Sequence, residues 1–272
     1  MDNRPIGIFD SGLGGLSCVF SFMKELPNES FIYFGDTART PYGDKDERTI
    51  QAFTNQIADF LTSQNVKMLV IACNTVSALC TEQLRQRHPD IPVVGIIEPT
   101  VRYIYENLDC EKKLGIIATN ATIKSSAYTA LIQQWMPEKK VSAKACPMFV
   151  PMIENGFHEG EVVEALIRHY MEDFIKEEGI EQLVLGCTHY PFFRSSIEKM
   201  YPQLQIINPS EIIVKEIVRE MDMRDMRAYR ENVSNPVFYA SDLSETFVEM
   251  IQLITKSETV FPKFKKFKGD YF

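Results

Sequence analysis

KMLVIACNT at residues 67–75 and EQLVLGCTHYP at residues 181–191 are two versions of one pattern. Each has a charged or polar entry, an apolar run without alternation, then a cysteine followed by small polar residues. An uninterrupted apolar run of this length reads as a strand buried on both faces, as in a parallel sheet covered by helices. The two cysteines, 73 and 187, stand 114 positions apart. Working outward, RPIGIFDSG (4–12) aligns with KKLGIIATN (112–120) at an offset of 108, Gly7 upon Gly115. VVGIIEPT (93–100) aligns with LQIINPS (204–210) at an offset of 110, Glu98 upon Asn208. Three strand ends in the same order at nearly one spacing predict a duplicated unit.

Further apolar runs predict strands at Ile6–Phe9, Phe31–Phe34 and near 93–97, 114–118, 141–145, 183–186, 204–207 and 237–240. Helical stripes lie between nearly all of them. Leu16, Val19, Phe20, Met23 and Leu26 form one stripe; Ile50, Phe53, Ile57, Phe60 and Leu61 form another. The predicted class is α/β: two similar open, mainly parallel domains related by pseudo-two-fold symmetry, with the active site between them. The first would comprise residues 1–98 plus 211–272 and carry Cys73. The second, inserted as 99–210, would carry Cys187. Ligands of open α/β sheets bind outside the carboxyl ends of the strands, so both thiols would approach one cleft.

Composition narrows the partners. The 272 residues are 45% hydrophobic and 24% charged, as in an ordinary globular protein, and suffice for one or two cores. The net charge of −8 argues against nucleic acid as the main partner. The one basic cluster, Lys263, Lys265, Lys266 and Lys268 among Phe261, Phe264 and Phe267, reads as an amphipathic terminal segment. Its phenylalanines are expected to pack and its lysines to be solvated, in preference to stacking on single strands. No apolar run approaches the roughly 18 residues of a membrane span, and no secretory pattern is present. Six cysteines without a C-x-x-C pair predict free thiols in a reducing cytoplasm.

A thiol at a strand end before a helix start gains from the helix dipole, which favours thiolate. Cys18, Cys80, Cys110 and Cys146 read instead as small hydrophobes away from such junctions. For the pair at 73 and 187 three roles are open. A redox disulfide more often uses C-x-x-C. A zinc site from Cys73, Cys187 and His189 has unusual spacing and no evident fourth ligand. In a two-base pair, one thiolate removes a proton from a carbon centre and the opposite thiol returns one. The glycines at 12, 14 and 15 lack the spacing of a dinucleotide fingerprint and predict a tight turn.

Five blocks, IFDSGLGG (8–15), YFGDTARTPYG (33–43), VIACNT (70–75), CPMFVPMIENG (146–156) and VLGCTHYP (184–191), closely resemble the motifs of the bacterial glutamate racemase family, in the family's order. The resemblance implies a cytoplasmic, commonly homodimeric isomerase interconverting L- and D-glutamate, without pyridoxal phosphate, metal or other cofactor, for peptidoglycan synthesis. By position, Cys73 would deprotonate D-glutamate and Cys187 L-glutamate. Asp10 would assist the first thiol; Glu154 and His189 would assist the second. Asp10, Ser11, Asn74, Thr75 and Thr188 would hold the amino and α-carboxylate groups. The backbone of Pro41, Tyr42 and Gly43 would receive the side-chain carboxylate, and Thr119, Thr122 and His189 complete the implied binding set. His88, His158 and His169 read as structural or surface residues. The chain departs from the family at Ala118, commonly glycine, which is expected to reshape the pocket wall, and at Asn208, commonly aspartate. A racemase for aspartate, or a protein that binds without turnover, are the competing readings.

Overall fold

A computed structural model describes residues 1–229 and 236–267. Its strands are β1 (Ile6–Asp10), β2 (Phe31–Gly35), β3 (Met68–Ile71), β4 (Val93–Gly95), β5 (Leu114–Ala118), β6 (Val141–Ala145), β7 (Gln182–Gly186), β8 (Gln205–Ile207), β9 (Val237–Ala240) and β10 (Lys263–Phe264). The helices of the first stretch are α1 (Leu16–Glu25), α2 (Glu47–Ser63), α3 (Asn74–Arg87) and α4 (Ile97–Asn107). Then come α5 (Asn120–Ser125), α6 (Ala127–Trp135), α7 (Phe149–Glu154), α8 (Glu161–Glu178) and α9 (Arg194–Met200). Two more, α10 (Pro209–Met223) and α11 (Glu245–Thr255), complete the described set.

Two parallel sheets result, ordered β10-β9-β2-β1-β3-β4 and β6-β5-β7-β8. The stretch β2-β1-β3-β4 has the same order as the whole smaller sheet. Registers agree too: Ile6 lies opposite Phe31 and Met68, and its counterpart Leu114 lies opposite Val141 and Gln182. The offset of 108 read from the sequence is thus an equivalence of strand positions. Positions 99 and 211, where the sequence divides the two units, fall inside α4 and α10.

Period-two alternation sends Ile8 and Phe9 to opposite faces of the larger sheet. The Phe9 face packs on α2 and α3 through Ile57, Leu61, Val76 and Leu84. The Ile8 face joins α1, α4, α10 and α11, and that same apolar cluster continues into Leu114, Ile116 and Val184 of the smaller sheet. The smaller sheet's other face packs on α7, α8 and α9. One apolar core therefore bridges the two sheets and holds their strand ends in a fixed relation. At the amino ends of the larger sheet's strands, buried Lys67 pairs with Glu29 at 2.6 Å and donates to the carbonyls of Asp2 and Met226.

The structure alters two expectations and accounts for the departure at Asn208. In α1 the buried face is Leu16, Cys18, Val19 and Phe22, while Phe20 is 51% exposed. The helix carries two adjoining apolar stripes, and packing on α10 and α11 selects one. Of the three tail phenylalanines expected to pack, Phe267 does so, on Phe34 and Phe60. Phe261 and Phe264 are 63% and 57% exposed because β10 is an edge strand, and Lys268 lies outside the described residues. Asn208 caps α10, its side chain accepting from Ser210 N at 3.1 Å ahead of Pro209. Asparagine fills that cap as aspartate would.

Candidate active site

The carboxyl ends of β1, β3, β5 and β7 converge on one narrow cleft. Cys73, two residues beyond β3, and Cys187, the residue after β7, both line it and are 4% and 7% exposed. Ser11, Pro41, Tyr42, Gly43, Asn74, Thr75, Thr119, Thr188 and His189 line it as well. Asp10, Glu154 and Thr122 stand behind that wall. Val150, inside the block at 146–156 but not singled out from the sequence, completes the lining.

On the first side, Asp10 Oδ2 accepts from the backbone N–H of Gly12 and of Gly15, each at 3.0 Å. Its Oδ1 accepts from Thr188 Oγ1 at 3.2 Å, tying β1 to the loop after β7. Burial raises the Asp10 pKa against the pull of His189 and those three donors. Cys73 is the N-cap residue of α3, and its Sγ lies 3.5 Å from Ser11 Oγ. The dipole argument predicts a lowered thiol pKa here; the structure reverses it. Burial and then the Asp10 charge push it up to about 12, outweighing the Val76 N–H and the Ser11 hydroxyl. Cys73 is therefore a protonated thiol at neutral pH.

On the second side, the helix expected after Cys187 opens as a 3₁₀ turn at Tyr190–Phe193 that runs straight into α9. The histidine before that turn also reaches the sulfur. His189 Nδ1 faces Cys187 Sγ at 3.8 Å and Nε2 faces Glu154 Oε1 at 2.5 Å, at the last residue of α7. Burial alone lowers the imidazole pKa, but the contacts with Cys187 and Glu154 prevail and bring it to about 10. At neutral pH His189 is an imidazolium with a partner at each nitrogen.

The two sides meet along a polar seam. The hydroxyls of Thr75, Thr119 and Thr122 form a triangle with edges of 2.9, 3.2 and 3.0 Å. Gly43 O accepts from Ala121 N at 2.9 Å, and Asn120 donates to Asp44 at 2.8 Å. A Cβ on Gly43 would stand 2.5 Å from Thr119 Cβ, so only glycine permits this approach. The loop bearing Pro41, Tyr42 and Gly43 is fixed from behind by buried Asp36. This carboxylate accepts from Arg39 Nε at 2.7 Å, from Ser241 Oγ at 2.7 Å and from the Tyr42 hydroxyl. The Arg39 guanidinium lies over Phe53 and Phe267, which ties the segment after β10 to the same loop.

Two other expectations change. Cys146 does sit at a strand-to-helix junction, between β6 and α7, but burial raises its pKa strongly and it is absent from the cleft lining. Ala118 is buried at the end of β5, and the cleft wall beside it is Thr119. Among the described residues, no group of three or more His, Cys, Asp or Glu side chains could hold a metal ion. Among them, too, no helix is long and apolar enough to cross a membrane.

Two α/β units that place a strand-end thiol on each side of one cleft define an isomerase of the racemase class, and the chain belongs to the Asp/Glu/Hydantoin racemase family, whose pattern matches residues 21–217. Its relatives include glutamate racemase of Geobacter metallireducens, 41% identical over 251 residues, 91% of each chain. Glutamate racemase of Oceanobacillus iheyensis is 36% identical over 93% of this chain and 92% of its own. The fold superposes on glutamate racemase from Francisella tularensis in complex with D-glutamate, with a TM-score of 0.89 and 38% identity over 98% of each chain.

Proposed function

We propose that the protein interconverts L- and D-glutamate by two-base proton transfer at the α-carbon, with no cofactor. The cytoplasmic supply of D-glutamate for peptidoglycan belongs to the same reading. It rests on one observation above all: thiols from equivalent strand ends of the two sheets line a single cleft. L-glutamate would bind with its α-hydrogen toward Cys187, which acts as thiolate beside the His189 imidazolium. As the C–H bond breaks, sulfur takes the proton and the electron pair passes into the α-carboxylate. Cys73, held protonated by its surroundings, gives its proton to the opposite face, completing the D-isomer. The reverse reaction exchanges the two roles. Asp10 assists at Cys73, and Glu154 assists through His189.

In this reading Ser11, Asn74, Thr75 and Thr188 hold the amino and α-carboxylate groups. The backbone of Pro41, Tyr42 and Gly43 and the hydroxyls of Thr119 and Thr122 receive the side-chain carboxylate. We assign residues 1–98 plus 211–272 to one domain and 99–210 to the other, and a homodimer as the assembly, measurable by sedimentation equilibrium. The deciding experiment is chiral chromatography of L- and D-glutamate, and of aspartate, incubated with chelator-treated, pyridoxal-free protein. Both glutamate enantiomers should converge on an equal mixture. Turnover of aspartate alone would overturn the substrate, and activity restored only by zinc would overturn the cofactor-free mechanism.

A further inference from the structure

Asn74 is the first residue of α3, lines the cleft, and is 2% exposed. Its Oδ1 accepts from the Tyr128 hydroxyl at 2.7 Å. Its Nδ2 is buried and has no hydrogen-bond partner among the described residues. A buried amide donor without an acceptor is destabilising, and proteins keep such groups where a ligand supplies the acceptor. An asparagine amide has two orientations that differ only in which atom faces which way. With Nδ2 toward the cleft it meets a carboxylate with a donor; reversed, it opposes that carboxylate with a second oxygen.

We propose that Tyr128 is a positioning residue: by donating to Asn74 Oδ1, it holds the Asn74 amide with Nδ2 toward the substrate's α-carboxylate. The inference rests on the racemase reading above. Tyr128 lies on α6, beyond β5 of the smaller sheet, whereas Asn74 follows β3 of the larger one. The orientation is therefore set only where the two units meet. Burial, aided by nearby Cys187 and opposed by Thr100, raises the Tyr128 pKa, so the hydroxyl keeps its proton at any working pH.

The test is a double-mutant cycle of Tyr128→Phe and Asn74→Ala, read as KM and kcat for both enantiomers and as Kd for D-glutamate by titration calorimetry. Tyr128→Phe should raise KM and Kd about tenfold, the scale of one oriented hydrogen bond to a charged group, with kcat within about threefold. In the Asn74→Ala background the same change should alter Kd less than about twofold. An equal factor in both backgrounds, or an unchanged Kd in the single variant, overturns the inference. Tyr128→Met supplies the same comparison should the phenylalanine form not fold. Wild type that binds D-glutamate without racemising it would refute the proposed function and leave this cycle readable; wild type that does not bind it overturns both.

Discussion

Replacing Glu154 with glutamine removes the charge behind His189 while keeping the shape of the contact. Burial pulls the imidazole pKa down, and Cys187 and Glu154 together carry it from the ordinary 6.5 to about 10. The Glu154 oxygen lies 2.5 Å from Nε2, and its side chain is only 26% exposed, so solvent screens it weakly. A hydrogen bond to a charged group contributes about 1.5–3 kcal/mol and a neutral one about 0.5–1.5 kcal/mol. The difference, on the order of 1.4 kcal/mol, corresponds to about one pKa unit, so His189 in Glu154→Gln should titrate near 9. Because the folded value lies above the unfolded one, the stabilisation from His189 is complete below about pH 6.5 and is lost as pH rises through about 10. In the variant that loss comes about one unit earlier, and the alkaline limb of L-to-D turnover moves with it. The chain has four histidines, so ¹³C-labelled imidazoles can be followed singly by NMR, with His189→Asn giving the assignment. A wild-type His189 titrating near 6.5, or one unmoved by Glu154→Gln, would refute the reasoning.

Exchange of either cysteine for serine should lower racemisation at least about a thousandfold, since an alkanol is a far weaker acid than a thiol. With a β- or N-substituted glutamate analogue, Cys73→Ser should still eliminate from the L-isomer and Cys187→Ser from the D-isomer. Loss of both eliminations in one variant would mean a single base serves both faces. Gly43→Ala places a methyl 2.5 Å from Thr119 Cβ and should raise the KM for glutamate about tenfold, with a smaller change in kcat, by lifting the loop off α5. An unaltered KM would count against the seam as a substrate boundary. Glu29→Ala strands the Lys67 charge in the interior and should cost about 3–5 kcal/mol in urea unfolding while kcat is kept. A loss under about 1 kcal/mol would mean that the carbonyls of Asp2 and Met226 suffice for Lys67.

The α/β class and the duplication were legible because a buried parallel strand leaves a local mark, an apolar run ending in turn formers. Both thiols were legible because they sit at the ends of such runs. What escaped the sequence depends on the environment that distant segments build. The rise of the Cys73 pKa comes from burial and from Asp10, 63 positions away in the chain. The helix after Cys187 was expected, but its 3₁₀ opening, with Pro191 in the first turn and Tyr190 buried, was not, since capping residues mark a helix start and not its winding. Tyr128 reads as one more apolar position on α6, since nothing in its neighbourhood of sequence announces Asn74 as its partner. The exposed Phe261 and Phe264 show the same limit: a stripe of aromatic residues packs only if the sheet edge beside it offers a surface.

The path of the chain through the two sheets also sets an order of assembly during synthesis. The smaller sheet lies wholly within residues 114–207, so it can close while the remainder is still being translated. The larger sheet must wait for β9 and β10. Ser241, which bonds Asp36, and Phe267, which lies on Arg39, are made roughly two hundred residues after the loop carrying Pro41, Tyr42 and Gly43 that both brace. A nascent chain would thus hold both thiols before it holds a firm seat for the substrate, and competence for turnover would arrive only once β9, Ser241 and Phe267 are in place.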